Sequence, residues 1–243
     1  MFALVAVVCG VTRHSQADES NAPVEVTYAM GAYTKYLGAW SGQVYDDRPS
    51  LQGDIGAAFA NGIYLDVWFA KQVGPVHGVP GNEMDFIVGW AGEVLALSID
   101  TALAYYELEP NFDGRKDNAW APAIKVSKTC GEDALSIAPF VRMEVVIPDS
   151  GSSYGDGMFL TGGVEAKLAL LEPLSLATAS YFTFDSGAYG CDQNVIFGQT
   201  AALQVAAGAW TLSLPSFLLT TPLESDAIRQ TETCFGVAAE SKF

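Results

Sequence analysis

The side chains able to do chemistry in this chain are mostly carboxylates. Its 243 residues include 28 aspartates and glutamates against 12 lysines and arginines, and only two histidines. His14 lies in an apolar N-terminal segment and His77 in the stretch Gly74-Pro75-Val76-His77-Gly78. Neither supports a serine–histidine pair, no Gly-x-Ser-x-Gly elbow is expected, and no carboxylate couple stands out for acid–base work. No enzyme activity is expected. Asp46-Asp47, Asp113 with Asp117, and Glu224 with Asp226 fall in polar connections, where carboxylates suit Ca²⁺ or Mg²⁺. Their spacing matches no calcium loop, and there is no zinc pattern or phosphate-cradling glycine loop. No metal site and no cofactor are expected.

Other charged residues are ordered by phase. Asp54, Asp66, Asp85, Asp100, Glu144 and Glu165, with Lys125, Arg142 and Lys167, alternate with apolar residues along extended runs. Leu51, Ile55, Ala57 and Phe59 form one apolar row; Ile63, Leu65, Val67 and Phe69 form the next; Met84, Phe86, Val88 and Trp90 a third. Leu95, Leu97, Ile99, Leu103 and Tyr105 continue the pattern, as do Val141, Met143, Val145 and Ile147. The last run ends the same way: Phe235, Val237, Ala239, Ser241, Phe243. A period of two puts one set on each face of a strand.

The elements that must position these faces are therefore strands. Candidate strands cover 24–37, 50–60, 62–72, 82–92, 94–108, 119–128, 134–147, 157–170, 173–184, 194–206, 209–220 and 232–243. Short connections at Asn61-Gly62, Gly92-Glu93, Thr129 to Asp133, Glu172-Pro173 and Ala207-Gly208 alternate strictly with longer polar ones. Half of the residues are hydrophobic and only 16% are charged. Past the N-terminus, however, no stretch approaches the roughly 20 apolar residues of a spanning helix. Strands oily on one face, with loops sorted by length, predict an all-β fold: a closed, antiparallel, up-and-down transmembrane barrel of about twelve strands. Phe59, Trp90, Trp210 and Phe243 fall toward the short-turn end, and Phe69, Tyr105 and Trp120 toward the other, as two interfacial belts. Pro122, Pro139 and Pro215 interrupt proposed strands and are expected at bulges or strand ends.

Residues 1–17 read as a leader, with an apolar core from Phe2 to Val11 and cleavage expected after Ala17. Residues 18–243 then form the barrel. In an oxidising compartment Cys191 and Cys234, both at the long-loop end, could pair as a disulfide. Cys130 lies at the other end, across a band of about 25 Å, and is expected to stay a thiol. The net charge of −16 argues against nucleic acid as a partner.

Segments 34–37, 45–53 and 62–70 read Thr-Lys-Tyr-Leu, Tyr-Asp-Asp-Arg-Pro-Ser-Leu-Gln-Gly and Gly-Ile-Tyr-Leu-Asp-Val-Trp-Phe-Ala, followed by Glu83-Met84-Asp85-Phe86-Ile87-Val88-Gly89-Trp90-Ala91-Gly92-Glu93. These resemble the opening strands of the TorF-like porins over roughly residues 30–108. Where that family shows an aromatic-arginine-glycine step, this chain has Leu37-Gly38-Ala39-Trp40. The resemblance implies an outer-membrane barrel of Gram-negative bacteria with a transport role, and no catalytic residues. Phe243 also resembles the terminal signal read by the barrel-assembly machinery. Outer-membrane lipid and lipopolysaccharide are the expected surroundings.

Together these features predict a porin-like channel for passive diffusion of small hydrophilic solutes. Six acids against three bases on the inner face favour cations. The alternative is a plugged lumen in a structural or ligand-binding outer-membrane protein, with Arg142, Glu144, Glu165 and Lys167 satisfying one another.

Overall fold

Twelve runs with apolar residues at alternate positions become twelve antiparallel strands, because each must bury its polar face and its backbone in the same ring. The computed structural model describes residues 24–73, 82–108, 118–132, 134–150, 152, 155–224 and 229–243. The expected leader and its cleavage site, both histidines, Asp113, Asp117 and Asp226 lie outside these residues.

The barrel strands are β1 (Val24–Tyr33), β4 (Ser50–Phe59), β5 (Ile63–Gln72), β6 (Glu83–Val94), β7 (Leu97–Leu108), β8 (Ala119–Ser127), β10 (Leu135–Pro148), β11 (Gly157–Leu171), β12 (Leu174–Asp185), β13 (Asn194–Ala207), β14 (Trp210–Pro222) and β15 (Glu232–Lys242). Each pairs with its neighbour in sequence, β11 with β10, and β15 with β1, so the sheet closes. Phe243 completes the seam: its N–H donates to the Val26 carbonyl and its carbonyl accepts from the Val26 N–H, at 2.9 and 3.0 Å. Two short strands, β2 (Tyr36–Leu37) and β3 (Val44–Asp46), form a separate ribbon inside the connection from β1 to β4. β9 (Cys130–Glu132) extends the short-turn end of β10.

The apolar rows face outward. Leu51, Ile55, Leu65, Val67, Phe86, Val88, Leu103, Met143, Leu160 and Val164 are all exposed. Trp210 packs edge-on against Tyr28 and Phe243 at the short-turn end, with centroids 6.3 and 6.5 Å apart, and Tyr105 meets Trp120 at a tilt at the other, centroids 4.8 Å apart.

Several expectations need correction. The first strand ends at Tyr33, not Leu37, and the chain then turns inward. The β6–β7 turn is not at Gly92-Glu93 but at Leu95-Ala96, whose φ values are 53° and 60°. Gly92 instead makes room for Trp90: a Cβ there would lie 2.5 Å from the indole. Pro215 does sit at a bulge, between Ser213 and Ser216. Pro122 and Pro139 do not. At Pro122 the pairing of β8 with β10 lapses and resumes without a shift. Pro139 falls where β10 passes from β9 to β8, so its missing N–H is opposite the break between them.

Candidate functional site

The inner wall carries a belt of charge running from β5 to β11. Tyr64 donates to Asp100 at 2.7 Å. Asp100 faces Lys125 across the β7–β8 ladder, and Lys125 faces Arg142 across the β8–β10 ladder. Lys125 is ion-paired with Glu165 at 2.7 Å and lies 4.9 Å over the Phe140 ring. Arg142 is paired with Glu144, both almost wholly buried, and Tyr106 donates to Glu144 at 3.1 Å. Asp54 and Asp66 lie half-buried on adjacent strands, and Lys167 is exposed near the short-turn end. The alternation that turns one face to lipid leaves these groups inside.

Sequence reasoning passed over two buried acids of this wall, Glu83 and Asp185. Glu83, at the start of β6, is buried two residues before Asp85 on the same face, so phase alone identifies it. It also passed over the inward aromatics Tyr64, Trp68, Tyr106 and Tyr181, all buried. One Gly-x-Ser-x-Gly spacing also exists, Gly151-Ser152-Ser153-Tyr154-Gly155. It lies in the β10–β11 connection rather than at a strand-to-helix turn, and Ser153 is outside the described residues.

The second part of the site comes from the first long connection, residues 34–49. Tyr36 pairs with Asp46 and Leu37 with Val44, and Gly42, at φ 64°, closes the tip. The ribbon folds into the barrel rather than away from it. Leu37 is 0% exposed, and Ala39, Trp40 and Ser41 are buried. Trp40 stacks against Tyr181 of β12, centroids 4.7 Å apart, and meets Phe140 at 6.4 Å. The Arg142 guanidinium lies 5.1 Å from the Trp40 ring, within cation–π range. The Tyr181 hydroxyl donates to the Ala39 carbonyl at 3.0 Å. Gly198 on β13 permits this, since a Cβ there would lie 2.1 Å from the Tyr181 ring.

Both roots of the ribbon are tied to the wall. Lys35 is paired with Glu232 at 2.6 Å, and the Thr34 N–H donates to the Phe235 carbonyl at 2.8 Å. Arg48 grips Asp46 through Nε at 3.0 Å and Nη2 at 2.7 Å, and also reaches Gln72. That guanidinium holds the Asp46 carboxyl below the usual carboxylate range. The Tyr36 hydroxyl donates to Glu83. Burial first, then the charges of Glu83 and Asp85, raises Tyr36 well above the ordinary phenol value, so it stays a neutral donor.

The inward ribbon also decides the cysteines. No disulfide joins Cys191 to Cys234. Each thiol meets a different part of the ribbon: Cys234 Sγ lies 3.3 Å from the Lys35 carbonyl, and Cys191 Sγ lies 4.0 Å from Gln43 Oε1. Cys130 is an exposed thiol on β9.

At the same long-loop rim, Arg229 reaches the Asp185 carboxylate and donates to the Asp192 carbonyl at 2.8 Å, joining two further long connections.

Neither a family model nor a curated protein matches the chain. Solved structures do. The KdgM porin in complex with disordered oligogalacturonate superposes with TM-score 0.54 at 13% identity, over 90% of this chain and 99% of that one. The NanC porin gives 0.55 at 9% identity, over 90% and 100%. The COG4313 outer membrane channel from Pseudomonas putida F1 gives 0.51 at 10% identity, over 90% and 94%. The chain has the fold of an outer-membrane porin-type barrel. At these identities the likeness covers the path of the backbone and not the inner-wall chemistry, and none of the three is described as a TorF-like porin.

Proposed function

We propose that this barrel resides in the outer membrane of a Gram-negative bacterium and passes small hydrophilic solutes, cations in preference to anions, through an interior narrowed by residues 34–49. The observation that carries the reading is the composition of the inner wall. The phase-assigned set together with Glu83 holds seven carboxylates against three basic side chains. Charges buried in a membrane barrel are explained by a hydrated solute path or by mutual pairing. The KdgM porin is solved with oligogalacturonate; an acid-rich wall disfavours a sugar acid here. A leader removed after Ala17, assembly through the Phe243 signal and a lipopolysaccharide surround belong to the same proposal.

Leu37 and Trp40, packed inside the barrel, favour a second reading, in which the ribbon is a permanent plug. One experiment separates them. In planar bilayers under a KCl gradient, the channel reading expects discrete openings, a reversal potential of cationic sign, and a larger conductance for Trp40→Ala. Silence from the native chain, with openings in a variant whose residues 38–43 are replaced by glycine and serine, supports the plug; silence from both overturns the channel reading. A reversal potential of anionic sign overturns the cation preference.

A further inference from the structure

The outer wall is not evenly convex. Across β1 and β4 to β8, two neighbouring rows of outward side chains enclose an open groove of about 730 Å³, lined almost wholly by apolar atoms. The row nearer the short-turn end sets Ala57 in register between Val26 and Leu65, and a methyl group between longer side chains leaves a trough. The next row ends in the rings of Phe86, Tyr105 and Trp120. The Tyr105 hydroxyl donates to Asp149 at 3.0 Å and accepts from Asn118 at 2.9 Å, so polar groups begin at this end of the groove.

Lys71 stands on the same outward face of β5, four residues and about 13 Å beyond Val67 toward the long-loop end. It is exposed and forms no ion pair among the described residues. An uncovered lysine at the end of an apolar column attracts a lipid phosphate while its methylene stem lies along the column. Glu107 ends the outward row of β7, in register with Met84 of β6. It repels phosphate from that side, which leaves Lys71 as the place for one. A second copy of this chain fits the groove poorly, because a two-fold contact would set two troughs face to face and enclose a void. A single acyl chain is narrow enough to lie in one trough.

We propose that the groove holds an acyl chain of lipopolysaccharide, with a phosphate of its lipid A on Lys71. This rests on the reading of the barrel as an outer-membrane protein with its long loops outside, which sets the phosphorylated lipid of the outer leaflet at that end.

The test is photo-crosslinking of the purified whole chain in phosphatidylcholine vesicles that contain lipopolysaccharide as the minor lipid. A benzophenone side chain replaces Leu65 in the groove or, as the control, Phe182 on the opposite wall, both exposed. Capture of lipopolysaccharide is expected to be at least fivefold greater from position 65 than from position 182. Lys71→Gln is expected to lower the capture from position 65 at least threefold, and Lys71→Arg to keep it. Folding of each variant is checked by heat-modifiable gel mobility. Equal capture from the two walls, capture undiminished by Lys71→Gln, or a product joining two copies of the chain in place of lipid each overturns the inference. A folded, inserted barrel without selective capture sinks only the groove, whereas a chain that does not insert into the vesicles sinks the outer-membrane reading itself.

Discussion

At the scale of single residues, the interior is governed by how each buried charge finds its partner. Arg142 and Glu144 are neighbours on one strand face and nearly sealed from water. Removing one member of such a pair leaves the other's charge in a poor environment, at a cost of about 3–5 kcal/mol. Arg142→Ala is therefore expected to lower stability by that amount in urea titrations followed by gel mobility, and Arg142→Ala with Glu144→Ala by clearly less. Asp46 gives a pH prediction. Its folded value lies below its unfolded one because Arg48 binds the carboxylate. The anchor's contribution is complete above the ordinary carboxylate value of about 4 and is lost as pH falls through the lowered value. Acidification through that window is expected to loosen the ribbon and raise bilayer conductance. Asp46→Asn is expected to show the raised conductance already at neutral pH, with no further rise on acidification.

At the scale of elements, the ribbon at 34–49 and the hairpin turns behave differently. The ribbon is held by packing of Trp40 and Leu37 and by anchors at both roots, so it is a fitted part and not a slack loop. The turn at Leu95-Ala96 is held only by the strands it joins. Two non-glycine residues there adopt left-handed backbone, and Leu95 is 93% exposed. Changing the pair to Asn-Gly, the sequence that favours this turn, is expected to stabilise the barrel by about 1–2 kcal/mol, read as a shift of the urea midpoint. An unchanged or lower midpoint would show that the left-handed backbone at Leu95-Ala96 carries no such cost.

At the scale of the whole molecule, the barrel has its oily surface outside. Val141, midway along β10, is 56% exposed on that surface. Val141→Arg is expected to cost roughly 2–4 kcal/mol when the protein folds into lipid vesicles. A cost near zero would mean that this wall does not face hydrocarbon. Closure also explains the seam, where the last residue pairs with Val26 and leaves no free strand edge at that end.

The chain alone determined the strands, their number, the sorting of loops and the face each residue takes, because these follow from a period of two and from local turn chemistry. It identified most of the inward charges for the same reason, and phase would also have named Glu83. It did not show the inward ribbon. Tyr36 and Leu37 continue the alternation of β1, so local pattern extends the strand, and only the space inside the closed ring and the rings of Tyr181 and Phe140 draw Trp40 inward. The partners of Cys191 and Cys234, and the meeting of Trp68, Asp85 and Tyr106 in one row, were likewise left to the tertiary structure, since strand register and loop packing depend on contacts between residues far apart in the chain.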